Sequence, residues 1–237
     1  MTAEEFYEKL KEFNVVLSEN QKWQFKRYYE LLVEWNQKMN LTGITEKNEV
    51  YLKHFYDSLL GFLMFEKLNK CQSLCDVGSG AGFPAIPIKI IFPHLKIDLV
   101  DSLGKRVKFL NYVINETDLK GIKAHHARSE DYTLDKRESY DIVTARAVAR
   151  LTILSELCVP LVKVGGYFIA LKGQTGNEEL IESKEAFKIL GVKLLEVKHI
   201  QLPEEAGLRT NIYTKKERKT PNKYPRAYGQ IKNKPLK

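Results

Sequence analysis

The sequence predicts an α/β protein with a mostly parallel sheet and helices on both of its faces, preceded by a helical addition. Three observations predict this fold. Residues 3–70 carry apolar side chains at helical spacing. From residue 73 onward, short apolar runs alternate with segments of helical length. The first of these runs leads into a glycine-rich turn, as the opening unit of a nucleotide-binding sheet does.

The helical addition is expected to contain three helices. Ser18 is a candidate N-cap of the second helix, and Gln21 is its capping-box partner. That helix should end within residues 40–43, and the third should run from about residue 49 to residue 65.

Three polar residues of the third helix, His54, Asp57 and Ser58, share one face at i, i+3, i+4 spacing. They could form the wall of a site that faces the glycine turn. They could also be an ordinary polar helix face with satisfied side chains, and we slightly favour this second interpretation.

The glycine turn lies between a strand predicted over residues 73–77 and a helix-length apolar stretch, and it contains Gly78, Gly80 and Gly82. Glycines let the chain turn sharply and let a ligand lie against bare backbone. The helix that follows offers free N–H groups at its start. The next predicted strand ends in Asp101, where a carboxylate can accept hydrogen bonds from ribose hydroxyls.

The glycine spacing distinguishes between nucleotides. A dinucleotide site is marked by G-x-G-x-x-G, and the third glycine of that pattern is absent here, which disfavours a nicotinamide oxidoreductase. With Asp76 the chain reads D-x-G-x-G-x-G, which resembles motif I of the class I S-adenosylmethionine methyltransferases. A tight turn without a ligand is the alternative, but turning alone hardly explains three alternate glycines and a spaced acid.

The remainder of the core is predicted to alternate between strands and helices. The predicted helices are 103–117, 151–161 and 178–190, and the predicted strands are 122–127, 140–145, 167–171 and a closing hairpin of 193–201 and 208–214.

Composition places the chain among ordinary globular proteins, with 237 residues, 43% hydrophobic and 29% charged. Its apolar runs are too short to cross a membrane, and its acidic N-terminus does not resemble a signal peptide. Cys71, Cys75 and Cys158 lack metal-site spacing, so we expect no metal and interpret them as reduced thiols of a cytoplasmic protein.

The charge is concentrated at the C-terminus. Residues 215–237 hold nine Lys and Arg and one acid, whereas the other 214 residues carry 29 of each sign. Such a basic tail commonly binds a polyanion, and Tyr224 and Tyr228 could stack on bases. A solvated, disordered tail is the alternative, and we favour nucleic-acid contact.

Several segments together resemble the bacterial 16S ribosomal RNA guanine-N7 methyltransferases, the glucose-inhibited division protein B family. Those segments are WNQKMNLTGIT (35–45), HFYDSLL (54–60), DVGSGAGFPAIP (76–87), LVDSLGKRVKFL (99–110), ARSEDY (127–132), YDIVTARAVA (140–149), LKG (171–173) and TPNKYPRAYG (220–229). Ala85 and Ser129 depart from the residues that are usual in the family at these positions.

The resemblance implies a Rossmann-like class I S-adenosylmethionine methyltransferase core at 71–214, between an N-terminal helical cap at 1–70 and a basic tail at 215–237. It implies cofactor contacts from Gly78, Phe83, Ser129, Glu130 and Arg146. With Gly80 and Gly82 of the glycine turn and with Asp101, which the spacing and the fold support, the predicted cofactor site has eight residues. It also implies action on 16S rRNA or the small ribosomal subunit. We expect a cytoplasmic monomer that contacts RNA through its tail.

Arg146 has three possible roles. It could bind the methionine carboxylate of the cofactor, or hold guanine O6 or a phosphate, or be structural, paired with Asp141 or Asp76. An arginine that bonds both O6 and N7 of guanine would block N7 methylation. We favour a cofactor or mixed role.

The residues also bear on the chemistry. The segment after the fourth core strand lacks the proline pair of adenine-N6 methylases, and Cys158, among apolar neighbours, does not resemble a catalytic thiol. Guanine N7 has an available lone pair and loses no proton, so its methylation needs no general base, and no catalytic residue stands out. A methyltransferase of a small molecule or a protein, and a catalytically silent RNA-binding protein, are the alternatives.

Overall fold

The computed structural model describes residues 1–236 and confirms a mostly parallel α/β fold. Seven strands within these residues form one sheet in the order β3-β2-β1-β4-β5-β7-β6. The strands are β1 (Ser73–Val77), β2 (Lys96–Asp101), β3 (Ile122–His126), β4 (Tyr140–Arg146), β5 (Val162–Lys172), β6 (Val192–Gln201) and β7 (Leu208–Lys216). The first five are parallel, and β7 is antiparallel to both of its neighbours.

The N-terminal helices are α1 (Ala3–Lys11), α2 (Glu19–Met39), α3 (Lys47–Val50) and α4 (Asp57–Leu63). The predicted capping box of α2 is confirmed, because Ser18 Oγ accepts from the N–H of Gln21 and the Gln21 side chain accepts from the N–H of Ser18. A π-helical stretch, Tyr51–Tyr56, joins α3 to α4. The predicted third helix is therefore one continuous helical segment with a wider turn in its middle.

The helices of the core are α5 (Ala85–Ile91), α6 (Gly104–Glu116), α7 (Ser129–Lys136), α8 (Leu151–Cys158), α9 (Gly176–Glu182) and α10 (Lys184–Leu190). Helix α7 was not predicted from the sequence. The single helix predicted over 178–190 is wrong, because the chain breaks at Ser183, whose Oγ donates to the carbonyl of Glu179. A hydroxyl that bonds the preceding turn competes with helical hydrogen bonding.

The N-terminal helices share an apolar core with one face of the sheet. Phe6, Phe25, Tyr51 and Phe55 are almost fully buried in the same cluster as Leu74 of β1. The edge-to-face geometry of Phe6 against Phe25 and Tyr51 is one that aromatic pairs prefer. The helical addition is thus packed directly onto the sheet that carries the glycine turn.

The C-terminal segment is folded up to residue 236, so the alternative of a solvated, disordered tail is wrong. Lys215 and Lys216 belong to β7, and a short helix, α11 (Tyr228–Asn233), follows. Tyr224 and Ile231 are buried in the apolar cluster on the other face of the sheet. Lys237, the last residue of the predicted tail, lies outside the described residues.

Among residues 215–236, two basic residues form ion pairs with acids of the core. Lys216 is completely buried and bonds the carbonyls of Val159 and Val162, with Glu138 at 3.0 Å. Arg226 forms a two-pronged ion pair with the fully buried Glu156 of α8. Its Nε and Nη2 lie 2.8 and 2.6 Å from the two carboxylate oxygens. Within residues 1–236, no helix is long and apolar enough to cross a membrane.

We expect Arg226→Ala to destabilise the protein by about 3 kcal/mol, because it leaves the carboxylate of Glu156 buried without its cation. Urea denaturation measures the free energy of unfolding. Arg150→Ala is the matched control, since Arg150 pairs with Glu182 at the exposed surface and such pairs contribute at most about 1 kcal/mol. Equal destabilisation of the two variants would contradict a docked C-terminal segment.

Candidate active site

The glycine turn has the conformation that its sequence predicts. Gly78, Gly80 and Gly82 have φ values of +71°, +58° and +98°, which L side chains rarely adopt. A Cβ at Gly78 would lie 2.6 Å from Val148, and one at Gly82 would lie 2.5 Å from Ile86. At Gly80 the nearest atom, the Gly78 carbonyl oxygen, is 3.9 Å from the Cβ position, so open space adjoins the backbone there.

Asp101 stabilises the glycine turn through a hydrogen bond to its backbone. It is 2% exposed, and its carboxylate accepts hydrogen bonds from the backbone N–H groups of Gly80 (2.8 Å) and Leu103 (2.9 Å). The guanidinium of Arg106 lies 3.5 Å away. The predicted contact with ribose hydroxyls stays a prediction, and the structure adds a positioning role that the sequence did not indicate.

A cleft of about 200 Å³, here called the smaller cleft, opens at the carboxyl ends of β1, β2 and β3. Its lining includes three predicted site residues, Gly78, Ser129 and Glu130, and apolar side chains of Val100 and Leu157. Its remaining lining residues are Val77, Ser102, Ala127, Arg128, Val148 and Tyr228.

Ser129 and Glu130 reach this cleft because they begin α7. The hydroxyl of Ser129 donates to the carbonyl of Leu157 (2.7 Å), which ties α7 to α8. The first N–H groups of a helix have no partner within it, so the backbone of Ser129 can donate to a ligand. Glu130 supplies a carboxylate beside these donors, and Arg128 lies 4.0 Å from it.

A larger cleft of about 440 Å³ lies on the other side of the segment that follows β4. Arg146 and Ala147 line it, whereas the next residue, Val148, lines the smaller cleft. Ala147 has φ +57°, a strained conformation for a residue with a Cβ. Such strain is often found where the backbone must place neighbouring side chains in different sites.

Arg146 is held by the N-terminal helices. Its guanidinium donates to Asp57 Oδ2 (3.2 Å), Ser58 Oγ (3.2 Å) and His54 Nδ1 (3.0 Å), and it lies 5.4 Å from the ring centroid of Phe83. We call this group the Arg146 clamp. The trio of His54, Asp57 and Ser58 does not face solvent as one polar face. His54 and Asp57 line the larger cleft, whereas Ser58 is fully buried and bonds Arg146.

The structural pairing considered for Arg146, with Asp141 or Asp76, is wrong. Asp141 is occupied elsewhere, since it accepts from Gln72, Ser73 and Lys163. The partner of Arg146 comes instead from α4, which packs beside the sheet.

His54 is a neutral imidazole in the clamp. Burial, together with the charge of Arg146, lowers the pKa of His54 to about 3. Because its Nδ1 accepts from Arg146, its proton lies on Nε2, which donates to Thr42 Oγ1 at 2.8 Å. The ring also stacks on Phe83, with centroids 4.5 Å apart.

The carboxylates of the larger cleft are paired with cations. Asp57 bonds Arg146 with one oxygen and Nε of Arg209 with the other (2.9 Å). Glu179 lies 2.7 Å from Nζ of Lys172 and accepts from the N–H of Leu151. Burial raises the pKa of Glu179, but the bond from Lys172 and its other partners outweigh burial and the pKa is lowered overall.

Asp76 is the exception among the charged groups of the site. It is completely buried, and neither carboxyl oxygen has a hydrogen-bond partner among residues 1–236. Burial raises the pKa of Asp76 to about 8, so the carboxyl keeps its proton at neutral pH.

These features fit S-adenosylmethionine. The smaller cleft offers apolar walls for a planar base and a carboxylate and helix N–H groups for its polar edge. The open space at Gly80 admits a ligand against the backbone.

Comparison with known proteins agrees with this fit. Residues 21–207 match the model of the family described as rRNA small subunit methyltransferase G. The chain belongs to that family. It is 54% identical over all of its 237 residues to the ribosomal RNA small subunit methyltransferase G of Staphylococcus aureus strain Newman, 99% of which is covered, and equally to that of strain USA300. It is therefore an S-adenosylmethionine-dependent rRNA methyltransferase.

Solved structures of other methyltransferases share the Rossmann-like fold of the family. The antibiotic-resistance methyltransferase Kmr has a TM-score of 0.53 and 15% identity, over 63% of this chain and 88% of that one. A mutant of the 16S rRNA (adenine(1408)-N(1))-methyltransferase from Catenulisporales acidiphilia has a TM-score of 0.52 and 12% identity, over 62% and 86%. At these identities the likeness concerns the fold alone.

Four residues of the site were not singled out from the sequence. Tyr28 of α2 donates to the carbonyl of Ala81 in the glycine turn, and Arg209 and Lys172 supply cations to the larger cleft. Thr42 holds His54. Thr42 and Lys172 lie in segments that carried the family resemblance, 35–45 and 171–173, so a local signal existed for these two.

Gly80→Val should abolish S-adenosylmethionine binding, because its side chain fills the open space beside the backbone. Isothermal titration calorimetry measures the affinity. Gly165→Val is the matched control: Gly165 has φ +88° and nothing within 4 Å of its Cβ position, so the backbone penalty is similar and the cleft is untouched. Tight binding by Gly80→Val would contradict the site.

Asp76→Asn should become progressively more stable than the wild type between about pH 4 and about pH 8. The carboxyl titrates near pH 4 when unfolded and near pH 8 when folded. Between these values the unfolded chain binds fewer protons, so wild-type stability falls as pH rises. Urea denaturation without cofactor measures the difference, which should level off above pH 8. A difference that does not change with pH would refute the buried acid.

Proposed function

We propose that this enzyme methylates N7 of a guanine in 16S rRNA, by direct attack of N7 on the cofactor's methyl and without a general base. The family resemblance suggests the atom and the RNA. The observation that carries the proposal is the chemistry of the larger cleft, whose acids and imidazole are all engaged or weakly basic.

Guanine N7 has an in-plane lone pair and releases no proton when it is methylated. S-adenosylmethionine, when bound, supplies an electrophilic methyl group on a sulfonium. The protein then has to orient the two reactants, and positioning alone can lower a barrier substantially. A methylation at an exocyclic amine or a ring N–H would require a group that accepts a proton.

The larger cleft offers no such group among the described residues that line it. His54 has its Nδ1 occupied by Arg146 and a pKa of about 3, so it is a poor base at neutral pH. Asp57 is bound by Arg146 and Arg209. Glu179 is bound by Lys172. A cleft without a proton acceptor supports methyl transfer to an atom that releases no proton.

The predicted site residues divide the work in this proposal. Ser129 and Glu130 bind the adenine edge in the smaller cleft, and the glycine turn admits the cofactor chain. Arg146 is held by its clamp at the segment that separates the two clefts. From this position it contacts the cofactor. Phe83, which is 7% exposed, holds the turn against His54 and Tyr28 and thereby positions it.

The RNA contact is proposed to use the exposed cations of the C-terminal segment. Four lysines are exposed in the part of this segment that the structure describes: Lys219, Lys223, Lys232 and Lys234. Lys216 and Arg226 are committed to internal partners and do not belong to this surface. We propose that the protein acts as a cytoplasmic monomer on 16S rRNA or the small ribosomal subunit.

Base mapping tests the proposed atom. Cells with and without the protein should differ in one N7-methylguanine of 16S rRNA, located by borohydride reduction and aniline cleavage at that modification. Purified protein with labelled S-adenosylmethionine should restore the cleavage on rRNA from the deficient cells, and Gly80→Val should not. A restored methyl group at N1 or N2 of guanine, or on adenine, would overturn the N7 assignment.

Replacing the four exposed lysines of the C-terminal segment by Gln should weaken RNA binding and reduce its dependence on salt. Removing one lysine–phosphate pair lowers the slope of log K against log salt by roughly 0.7–0.9, so removing four such pairs changes the slope by about 3. Filter binding at several salt concentrations measures the slope.

The control variant replaces four exposed lysines of the N-terminal helices and the segments beside them by Gln. The two variants therefore have the same net charge. They are Lys11, Lys26, Lys38 and Lys47. If both variants reduce the slope equally, general charge and not the C-terminal segment governs the contact.

A further inference from the structure

Tyr228, a residue of the C-terminal segment, lines the smaller cleft. It lies at the start of α11 and faces the same opening as Gly78, Ser129 and Glu130. Its ring lies 5.9 Å from the guanidinium carbon of Arg128, which also lines that cleft. The side chain is 36% exposed, so one part of the ring is open to a ligand while another part is packed.

The backbone that carries Tyr228 is fixed on both sides. Before it, Arg226 donates through its backbone N–H and its guanidinium to the buried Glu156. After it, Ile231 is completely buried. Further back, Arg137 donates to the carbonyls of Thr220, Pro221 and Tyr224.

Glu156, which holds the C-terminal segment, adjoins a residue that lines the smaller cleft. Glu156 precedes Leu157 in α8, and Leu157 both lines the smaller cleft and accepts the hydroxyl of Ser129. The same turn of α8 therefore places the start of α7 on one side and the C-terminal segment on the other. Tyr228 is held at a defined position relative to Ser129 and Glu130.

We propose that Tyr228 is a cofactor-binding residue and that the C-terminal segment forms the outer wall of the adenosine part of the site. A planar aromatic ring beside an apolar cleft can cover one face of a nucleobase. Arg128, which lines the same cleft, contacts the ring through a cation–π interaction. Tyr228 lies beyond residues 21–207 that match the family model, in the segment 220–229 that also carries the family resemblance.

The proposal rests on the cofactor and is independent of the atom that is methylated. It changes the meaning of the C-terminal segment, which serves the small-molecule site in addition to any contact with RNA. It also distinguishes Tyr228 from the exposed lysines of the same segment, since only the tyrosine borders the cleft.

The test is isothermal titration calorimetry of S-adenosylmethionine, without RNA, against Tyr228→Ala and Tyr228→Phe in the full chain. Removal of a stacked ring should weaken the affinity roughly 5- to 30-fold in Tyr228→Ala. Tyr228→Phe keeps the ring and should stay within about threefold of the wild type. Gln230→Ala, an exposed neighbour on α11, is the control and should bind normally.

A second ligand locates the contact. Methylthioadenosine retains the adenosine and lacks the amino acid, so Tyr228→Ala should weaken it by the same factor as the whole cofactor. Thermal unfolding of each variant checks that the fold is kept. Wild-type affinity in a folded Tyr228→Ala would overturn the inference while leaving the proposed methylation intact, as would a weakened cofactor affinity with an unchanged affinity for methylthioadenosine.

Discussion

The ion pair between Arg146 and Asp57 is the interaction on which the geometry of the site depends. It joins the end of β4 to α4, two elements 89 residues apart in the sequence. Both side chains are mostly shielded from water, at 15% and 11% exposure, so removing either charge would leave the other costly to bury. The pair therefore fixes the helical addition relative to the sheet edge.

The clamp also organises its neighbours. His54 and Phe83 stack within it, and Phe83 belongs to the glycine turn, so the turn is supported from the N-terminal helices as well as from Asp101. Because Asp57 bonds Arg209 too, the clamp reaches β7 and encloses the larger cleft. The proposed reaction needs no acid–base group. The charged groups of the clamp instead keep the site rigid, so that the two reactants stay oriented for methyl transfer.

The sequence was sufficient for features that depend on local pattern. The capping box at Ser18, the tight turn at the three glycines and the strand before them follow from neighbouring residues, and the family match bears out the cofactor that the glycine pattern suggested. Pattern was insufficient where tertiary contacts decide. The polar trio of His54, Asp57 and Ser58 has the same spacing whether it faces water or Arg146, and only the packing of α4 against the sheet distinguishes these cases.

The same reasoning explains why the folding of the C-terminal segment onto the sheet could not be predicted. Its composition is that of a solvated tail, yet buried Glu156 and the carboxylate of Glu138 supply partners that lie about 70 to 80 residues earlier. Composition reports the charge of a segment and carries no information about distant acids that neutralise it. The break at Ser183 was missed for a related reason, since a hydroxyl can either face solvent or bond the preceding turn.

The position of Arg226 and Tyr228 near the end of the chain has a consequence for synthesis. The strands and the glycine turn leave the ribosome first and can fold around their own apolar core. Glu156 of α8, however, obtains its partner Arg226 only after 70 more residues have been translated. A nascent chain that ended before residue 226 would thus hold all seven described strands and leave the buried Glu156 without its cation.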